Sequence, residues 1–351
     1  MPNIAMSAVV QYALREGAVE LRDVPRPADL GAEEVLLRTR AVGVCGSDIH
    51  QWHNTHSLHV NVPVILGHEF AGELVWVGKA VRGFREGDRV ISETAAGICG
   101  RCLYCRSGEY NLCPERQGFG YGVDGAMADF VKVPARCLHH CPDAVPFEKA
   151  ALTEPCCVAY NATCVKGRIR PGDAVLVFGP GPIGLLSLVL AKLSGAAWVG
   201  VVGLKQDETR LAIAKSLGAD QTITGGEAEL LELVRALGDG LGVDVVIEAS
   251  GASSALKPAM AAVRAGGQIC KVGWGPQPLE FSLDPVVKKA VNLQGSFSHN
   301  YAIWERVISL FACGKLDPTP IVGRVEPFVR WRTCFEDMGE GKIVKAVLKP
   351  E

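Results

Sequence analysis

The run Ala174–Phe178, followed at once by Gly179-Pro180-Gly181-Pro182-Ile183-Gly184, restricts this chain more than any other feature. A continuous apolar run of that length suits a strand buried on both faces, as inside a parallel sheet. Pro182–Ser194 then continues with helical periodicity. A G-x-G-x-x-G turn is a weak signal alone and a strong one between a strand and a helix. Gly179 permits the tight turn, Gly181 lets backbone approach a pyrophosphate, and Gly184 allows close helix–strand packing. Pro182 suits the first helical turn, where its missing N–H costs nothing, and Ile183 carries the helix on. The helix N-terminus offers N–H groups to phosphates.

Alternation continues downstream. Trp198–Val202, Gln221–Thr224, Val243–Ala249, Gly267–Val272 and Leu293–Phe297 read as strands. Glu208–Leu217, Ala228–Leu237 and Ser253–Val263 read as the helices between them. Such a series predicts a doubly wound parallel α/β sheet, a Rossmann nucleotide domain over residues 154–297. A chain of 351 residues exceeds one ordinary core. The remainder, 1–153 with 298–351, reads as a second domain. Ser7–Tyr12, Glu34–Val42, Gly72–Val77 and Arg89–Ser92 are short strand-like runs between Gly and Pro signals, so a twisted β-rich core is expected. The helix-like stretch Tyr301–Cys313 and the C-terminal apolar segments are expected to pack back on that core.

Cysteine supplies the second constraint. The N-terminal stretch Met1–Ala5 has no basic or apolar leader region, and no stretch of about 18 apolar residues escapes interruption. The expectation is a cytoplasmic, reducing location without membrane association, where clustered cysteine reads as metal binding. Cys99, Cys102, Cys105 and Cys113 form a C-x2-C-x2-C-x7-C run. Four thiolates at short spacing make a closed tetrahedral cage, which suits a structural Zn²⁺. Cys45, His68, Glu69 and Glu154 form a mixed set, the type a catalytic zinc uses to keep one position open. The other eight of the thirteen cysteines, Cys137, Cys141, Cys156, Cys157, Cys164, Cys270, Cys313 and Cys334, are read as small buried hydrophobes. A net charge of −2 with no basic run argues against a nucleic-acid partner. His53, His56 and His59 continue His50 at a spacing of three, but Pro63 and the polar context favour a loop over a third metal face.

Cofactor choice turns on the end of the second strand. An NAD site places an acidic residue there to hold the ribose hydroxyls. This chain has Gly203, with Lys205 and Arg210 nearby. NADP is therefore favoured over NAD. The alternative is that Lys205 is a solvated loop charge and Asp207 an N-cap, in which case either cofactor binds.

Cys45-Gly46-Ser47-Asp48-Ile49-His50, Gly67-His68-Glu69-Phe70-Ala71-Gly72, the four-cysteine lobe and Gly179–Gly184 follow in that order. This series resembles the zinc-dependent medium-chain dehydrogenase/reductase family over essentially the whole chain. With Glu154-Pro155 where ethanol-type enzymes place a cysteine ligand, it is most similar to the sorbitol (iditol) and threonine dehydrogenase branch. The resemblance implies a GroES-like β-rich catalytic domain beside the Rossmann domain, one catalytic and one structural zinc, and a homodimer or homotetramer with the cysteine lobe at subunit contacts. It implies that Cys45 and His68 bind the catalytic zinc, with Glu69 or Glu154 directly or at one remove. Ser47 and His50 match the family's proton relay, and histidine titrates near working pH. Zinc would polarise the C–O bond of a secondary alcohol, polyol or sugar-type, while nicotinamide accepts hydride.

The chain departs from sorbitol dehydrogenases proper at Gln51 and Ser298, where those enzymes carry an aromatic residue and an arginine. The secondary-alcohol class follows from the motifs, and sorbitol itself does not. Trp52, Phe119, Tyr121 and His299 are candidate pocket residues. A threonine 3-dehydrogenase-like amino-alcohol oxidation shares every motif above. A zinc-free quinone or enone reductase would lack Cys45, His68 and the cage, and a non-enzymatic zinc protein would not need Gly179–Gly184 or Ser47.

Overall fold

The computed structural model describes residues 5–56 and 59–351; Met1–Ile4, most of the stretch read above for a leader, lie outside the described residues. The chain divides into two compact units, Met1–Glu154 with Asn300–Glu351, and Pro155–His299. Among the described residues, no helix is long and apolar enough to cross a membrane.

The first unit is built on a seven-stranded sheet. Its long strand Glu34–Gly43 pairs antiparallel with Glu69–Val77 on one side, and with Phe130–Pro134 along part of the other. Bulges between Leu36 and Leu37, and between Thr39 and Ala41, bend this pair. The last strand, Lys345–Lys349, returns to the same sheet, with Val347 opposite Gly43 and Leu348 opposite Val42. Gly43 also lies opposite Glu69. Register thus brings the two ends of the unit's sequence together at one spot. The core beneath holds Phe70 edge-on to Phe119 at 5.2 Å between centroids, and Trp331 edge-on to Phe335 at the same separation. Each such ring contributes roughly 1.5–3 kcal/mol by burial.

The second unit is a six-stranded sheet, all parallel, ordered Gln221–Ile223, Trp198–Val202, Ala174–Phe178, Val243–Glu248, Val263–Lys271, Asn292–Gly295. The first strand in sequence lies in the middle and order reverses beside it, which is the doubly wound pattern with its ligand crevice at the strand ends. The predicted single helix Ser253–Val263 is a short 3-10 turn, Ser253–Ala255, followed by the helix Leu256–Ala262. The following strand starts at Val263, earlier than the predicted Gly267, because left-handed Gly266 accommodates a register shift within it.

Candidate active site

The donor atoms of Cys45, His68 and Glu69 all lie within 4.8 Å of one another. Three local devices place them. Cys45 precedes the short helix Gly46–Trp52, and its N–H donates to Asp48 Oδ2 at 2.8 Å. Gly67 takes φ +92°, which reverses the chain just before His68. Any side chain at Gly43 would overlap the Glu69 carboxylate, since its Cβ would lie 2.1 Å from Oε2. Glycine there is a requirement of the buried acid.

Asp48 and Lys345 complete the site, and neither is assigned a role by sequence reasoning. Asp48 is fully buried, with Oδ1 3.8 Å from His68 Nδ1. That is an ion-pair separation, too long for a hydrogen bond, and it sets a carboxylate charge beside the imidazole. Lys345 Nζ lies 2.6 Å from Glu69. Burial pushes the Lys345 ammonium down, but the charges of Glu69 and Cys45, the Glu69 hydrogen bond and the Glu154 charge outweigh it and its pKa is raised. A lysine inside the short apolar strand Lys345–Lys349 was the signal available in the sequence. Glu154 stands in the first turn of the helix Thr153–Tyr160, buried, and acts on His68 and Glu69 through its charge. Its carboxylate is not among the three clustered donors.

Charge at this spot calls for a cation. Burial pushes the His68 imidazole down, yet the hydrogen bond and charge of Cys45, with Asp48 and Glu154, raise it to about 10. A metal ion would take the place of that proton, because ligation requires the deprotonated imidazole. The mixed sulfur, nitrogen and oxygen donor set fits Zn²⁺ with an open position.

Ser47, on the first turn of the same short helix, accepts a hydrogen bond from the Tyr121 hydroxyl at 2.5 Å. The Tyr121 ring lies 5.3 Å from that of His68. His50 is exposed, with Nδ1 2.9 Å from Thr55 Oγ1. Of the candidate pocket residues, Tyr121 stands at the cluster. Trp52 faces the core, edge-on to Trp331 and Phe335, and Phe119 is 1% exposed against Phe70. Both are packing residues, because Trp52 ends its helix on the core side and Phe119 lies beneath the strand Glu69–Val77. His299 is buried within the second unit. His53, His56 and His59 belong to a loop, as the sequence reading has it.

The four sulfurs of Cys99, Cys102, Cys105 and Cys113 also lie within 4.8 Å of one another. Backbone N–H groups of Cys99, Cys102 and Cys105 point at the sulfurs of Cys113, Cys99 and Cys102 respectively, at 3.3–3.4 Å. Backbone hydrogen bonds from Arg101 and Cys102 draw the Cys99 thiol down to about 6, whereas burial and the neighbouring thiols push Cys105 up to about 12. Four sulfurs this close cannot all ionise without a cation between them, which is the condition a tetrahedral zinc meets. Of the other eight cysteines, six are buried, Cys164 is partly covered, and Cys313 is exposed at the end of the helix Tyr301–Ala312. Cys313 therefore departs from the buried-hydrophobe expectation.

In the second unit, Gly179 takes φ +91° and its Cβ would lie 2.7 Å from Ser250 Cα. A Cβ on Gly184 would lie 1.9 Å from the Gly179 carbonyl oxygen, whereas Gly181 faces open space. Pro182 opens the twelve-residue helix Pro182–Leu193. These are the three distinct jobs the glycines need to do for a dinucleotide. Glu248, fully buried, accepts from the Ser250 and Gly251 N–H groups and pairs with Lys271 at 2.7 Å, bracing the opposite wall of the crevice. At the second strand, Asp207 accepts from the Leu204 N–H at 2.9 Å and lies 3.7 Å from Arg210. A Cβ on Gly203 would meet the Asp207 Cβ at 3.3 Å. An acid thus stands beside Gly203 after all, four residues later than the sequence pattern expects, engaged with its own backbone and Arg210. Lys205 is exposed.

Residues 31–143 match the model of the alcohol dehydrogenase GroES-like domain, and residues 182–312 match that of the zinc-binding dehydrogenase. A sorbitol dehydrogenase of Halalkalibacterium halodurans is 39% identical, over 98% of this chain and 99% of its own. A D-arabitol-phosphate dehydrogenase of Enterococcus avium is 36% identical, over 93% and 92%. The crystal structure of a zinc-binding dehydrogenase from Sinorhizobium meliloti 1021 bound to NADP superposes with a TM-score of 0.90 at 28% identity, covering 99% of this chain and all of that one.

Proposed function

Because the chain belongs to the zinc-dependent medium-chain dehydrogenase family, in the sorbitol and threonine dehydrogenase-like branch, we propose that its substrate is a polyol or sugar-type secondary alcohol, oxidised to a ketone with NAD(P)⁺. The observation that carries this reading is the meeting of Cys45, His68 and Glu69 donors within 4.8 Å, with the Ser47 hydroxyl on the adjoining turn. Zinc held by Cys45, His68 and a carboxylate would supply Lewis acidity to the alcohol, and the nicotinamide would accept hydride.

The chain's own residues then do the positioning and the proton work. Asp48 places a negative charge 3.8 Å from the His68 ring. Lys345 aims the Glu69 carboxylate and favours its ionised form, opposing the burial that pushes its pKa up. Tyr121 donates to Ser47, which leaves the serine's own hydrogen available to a substrate oxygen or to the next group outward. His50 is the exposed end of the relay and passes the proton to water. Closely spaced thiols that need a cation support a structural role for the four-cysteine cage.

NADP is the favoured cofactor in this reading, since Asp207 is occupied by the Leu204 N–H and Arg210 while Lys205 is exposed. A homo-oligomer is supported by the apolar exposure of the cysteine lobe at Leu103, Tyr104 and Leu112. A cytoplasmic location fits the reduced-thiol chemistry that both metal sites require.

The deciding experiment follows reduced-nicotinamide absorbance with polyols, sugars and threonine, using NAD⁺ and NADP⁺ in parallel. Turnover of a polyol supports the reading. Turnover of threonine alone would replace it with amino-alcohol oxidation.

A further inference from the structure

Tyr110 stands inside the four-cysteine segment, between Cys105 and Cys113, and opens the 3-10 turn Tyr110–Leu112. The Cys113 N–H donates to the Tyr110 carbonyl at 3.1 Å, which ties this backbone to a cage ligand. The Tyr110 hydroxyl makes its contacts outside the lobe. It donates to Glu93 Oε2 at 2.6 Å and accepts from the Tyr301 N–H at 2.5 Å. One phenol oxygen thus joins the cysteine lobe to the end of a core strand and to the first turn of the helix Tyr301–Ala312. Burial, then the Glu93 charge and hydrogen bond, push the Tyr110 pKa up, so the phenol remains a donor at physiological pH.

Glu93 follows the strand Arg89–Ser92 and is buried. Its Oε1 lies 3.2 Å from His139 Nε2. His139 sits on the neighbouring strand Leu138–His140, where its backbone pairs with Ile91. The other ring nitrogen, Nδ1, lies 2.5 Å from Glu305 Oε1, on the same helix as Tyr301. The rings of Tyr301 and Trp304 stack on the imidazole, with centroids 4.8 and 5.5 Å away. Both oxygens of Glu93 and both nitrogens of His139 are therefore engaged, and the helix is held at Tyr301, Trp304 and Glu305. None of the four linked side chains belongs to either metal cluster.

A buried carboxylate that loses a hydrogen-bond donor pays a large part of its desolvation cost. Glu93 therefore favours the arrangement in which Tyr110 is docked, and Tyr110 docks as part of the folded lobe. Structural zinc supplies the free energy that folds such a lobe. Two linked steps influence each other by the same factor, so docking must in turn favour retention of the metal.

We propose that Tyr110, Glu93, His139 and Glu305 form a latch, through which docking of the cysteine lobe on the helix Tyr301–Ala312 sets how firmly the cage holds its metal. This inference rests on the structural-metal reading of the cage and adds the contact that governs release.

The test follows zinc release from the holoenzyme into an excess of a chromophoric chelator. The phase that is missing in Cys102→Ser belongs to the cage. Tyr110→Phe should quicken that phase by about tenfold to a hundredfold, as for loss of a hydrogen bond to a charged group, and leave the other phase within about twofold. Glu93→Gln should act in the same range, and the double variant should be no more than about twofold faster than the faster single one. Amide exchange over the first turn of the helix Tyr301–Ala312 should quicken in Tyr110→Phe, a change that support confined to the lobe would not produce. Should Tyr110→Phe not fold, Glu93→Asp, which keeps the charge and shortens the reach, decides by the same phase. An unchanged cage phase, equal acceleration of both phases, effects that multiply in the double variant, or a helix turn that stays protected overturns the latch and leaves the cage reading intact. A release profile that loses no phase in Cys102→Ser overturns both.

Discussion

Lys345 Nζ lies 2.6 Å from the Glu69 carboxylate, and only 1% of each side chain is exposed. The pair joins the last strand of the chain to a strand that begins at residue 69, across the glycine that makes room for it. Removing one partner leaves a buried charge alone, which costs about 3–5 kcal/mol. Lys345→Met should lower unfolding stability by that order in a denaturant titration, with Lys345→Arg losing less. A loss below about 1 kcal/mol would mean that Glu69 is protonated or metal-bound without help.

The two metal sites should separate by mutation. Cys45→Ser should stay folded, retain the metal of the four-cysteine cage, and lose at least about a thousandfold in kcat/KM, since Lewis-acid stabilisation contributes several kcal/mol. Cys102→Ser should lose the other metal and destabilise the lobe. Metal analysis with circular dichroism distinguishes them; equal loss of fold in both variants would contradict the division.

His50 carries a pH prediction. Burial of part of its ring, then the nearby His53 and His56, hold its pKa below the ordinary imidazole value. Alcohol oxidation needs this group neutral to accept a proton, so the rate should rise with pH through a value under about 6.5. His50→Asn should lower kcat by about a hundredfold and remove that limb. A limb that survives the substitution belongs to another group.

Tyr121→Phe removes the hydrogen bond to Ser47 while keeping the ring against His68. The loss of one ordinary hydrogen bond, about 1 kcal/mol, should appear as a roughly fivefold fall in kcat with little change in melting temperature. An unaltered kcat would show that Ser47 needs no orienting partner.

Lys205→Ala should raise KM for NADP⁺ by about tenfold and leave that for NAD⁺ within about twofold, as for the loss of one charge-assisted contact. Equal effects on the two cofactors would make Lys205 a solvated loop charge.

Much of this was legible in the sequence because it depends on local spacing. Ala174–Phe178 with its glycine turn gave a strand and helix with near-identical bounds, since an apolar run and a Pro at the first helical turn are both local signals. Cys99–Cys113 gave the cage for the same reason. What escaped notice depends on register between distant segments. Lys345 reaches Glu69 only because Val347 and Glu69 both pair with Gly43. Trp52 and Tyr121 were indistinguishable as aromatic residues near motifs, and which of them faces the clustered donors was decided by the core packing of the helix Gly46–Trp52. Asp207 took a position beside Gly203 through a turn that a count of residues along the strand does not anticipate.

The most direct measurement is the initial rate of NAD(P)⁺ reduction with a polyol, before chelation, after removal of the more labile zinc, and after zinc is returned. Zinc at Cys45 and His68 requires the rate to vanish with that ion and to recover in proportion to its return, while the zinc of the four-cysteine cage stays in place. An undiminished rate in protein stripped of the labile zinc would contradict it.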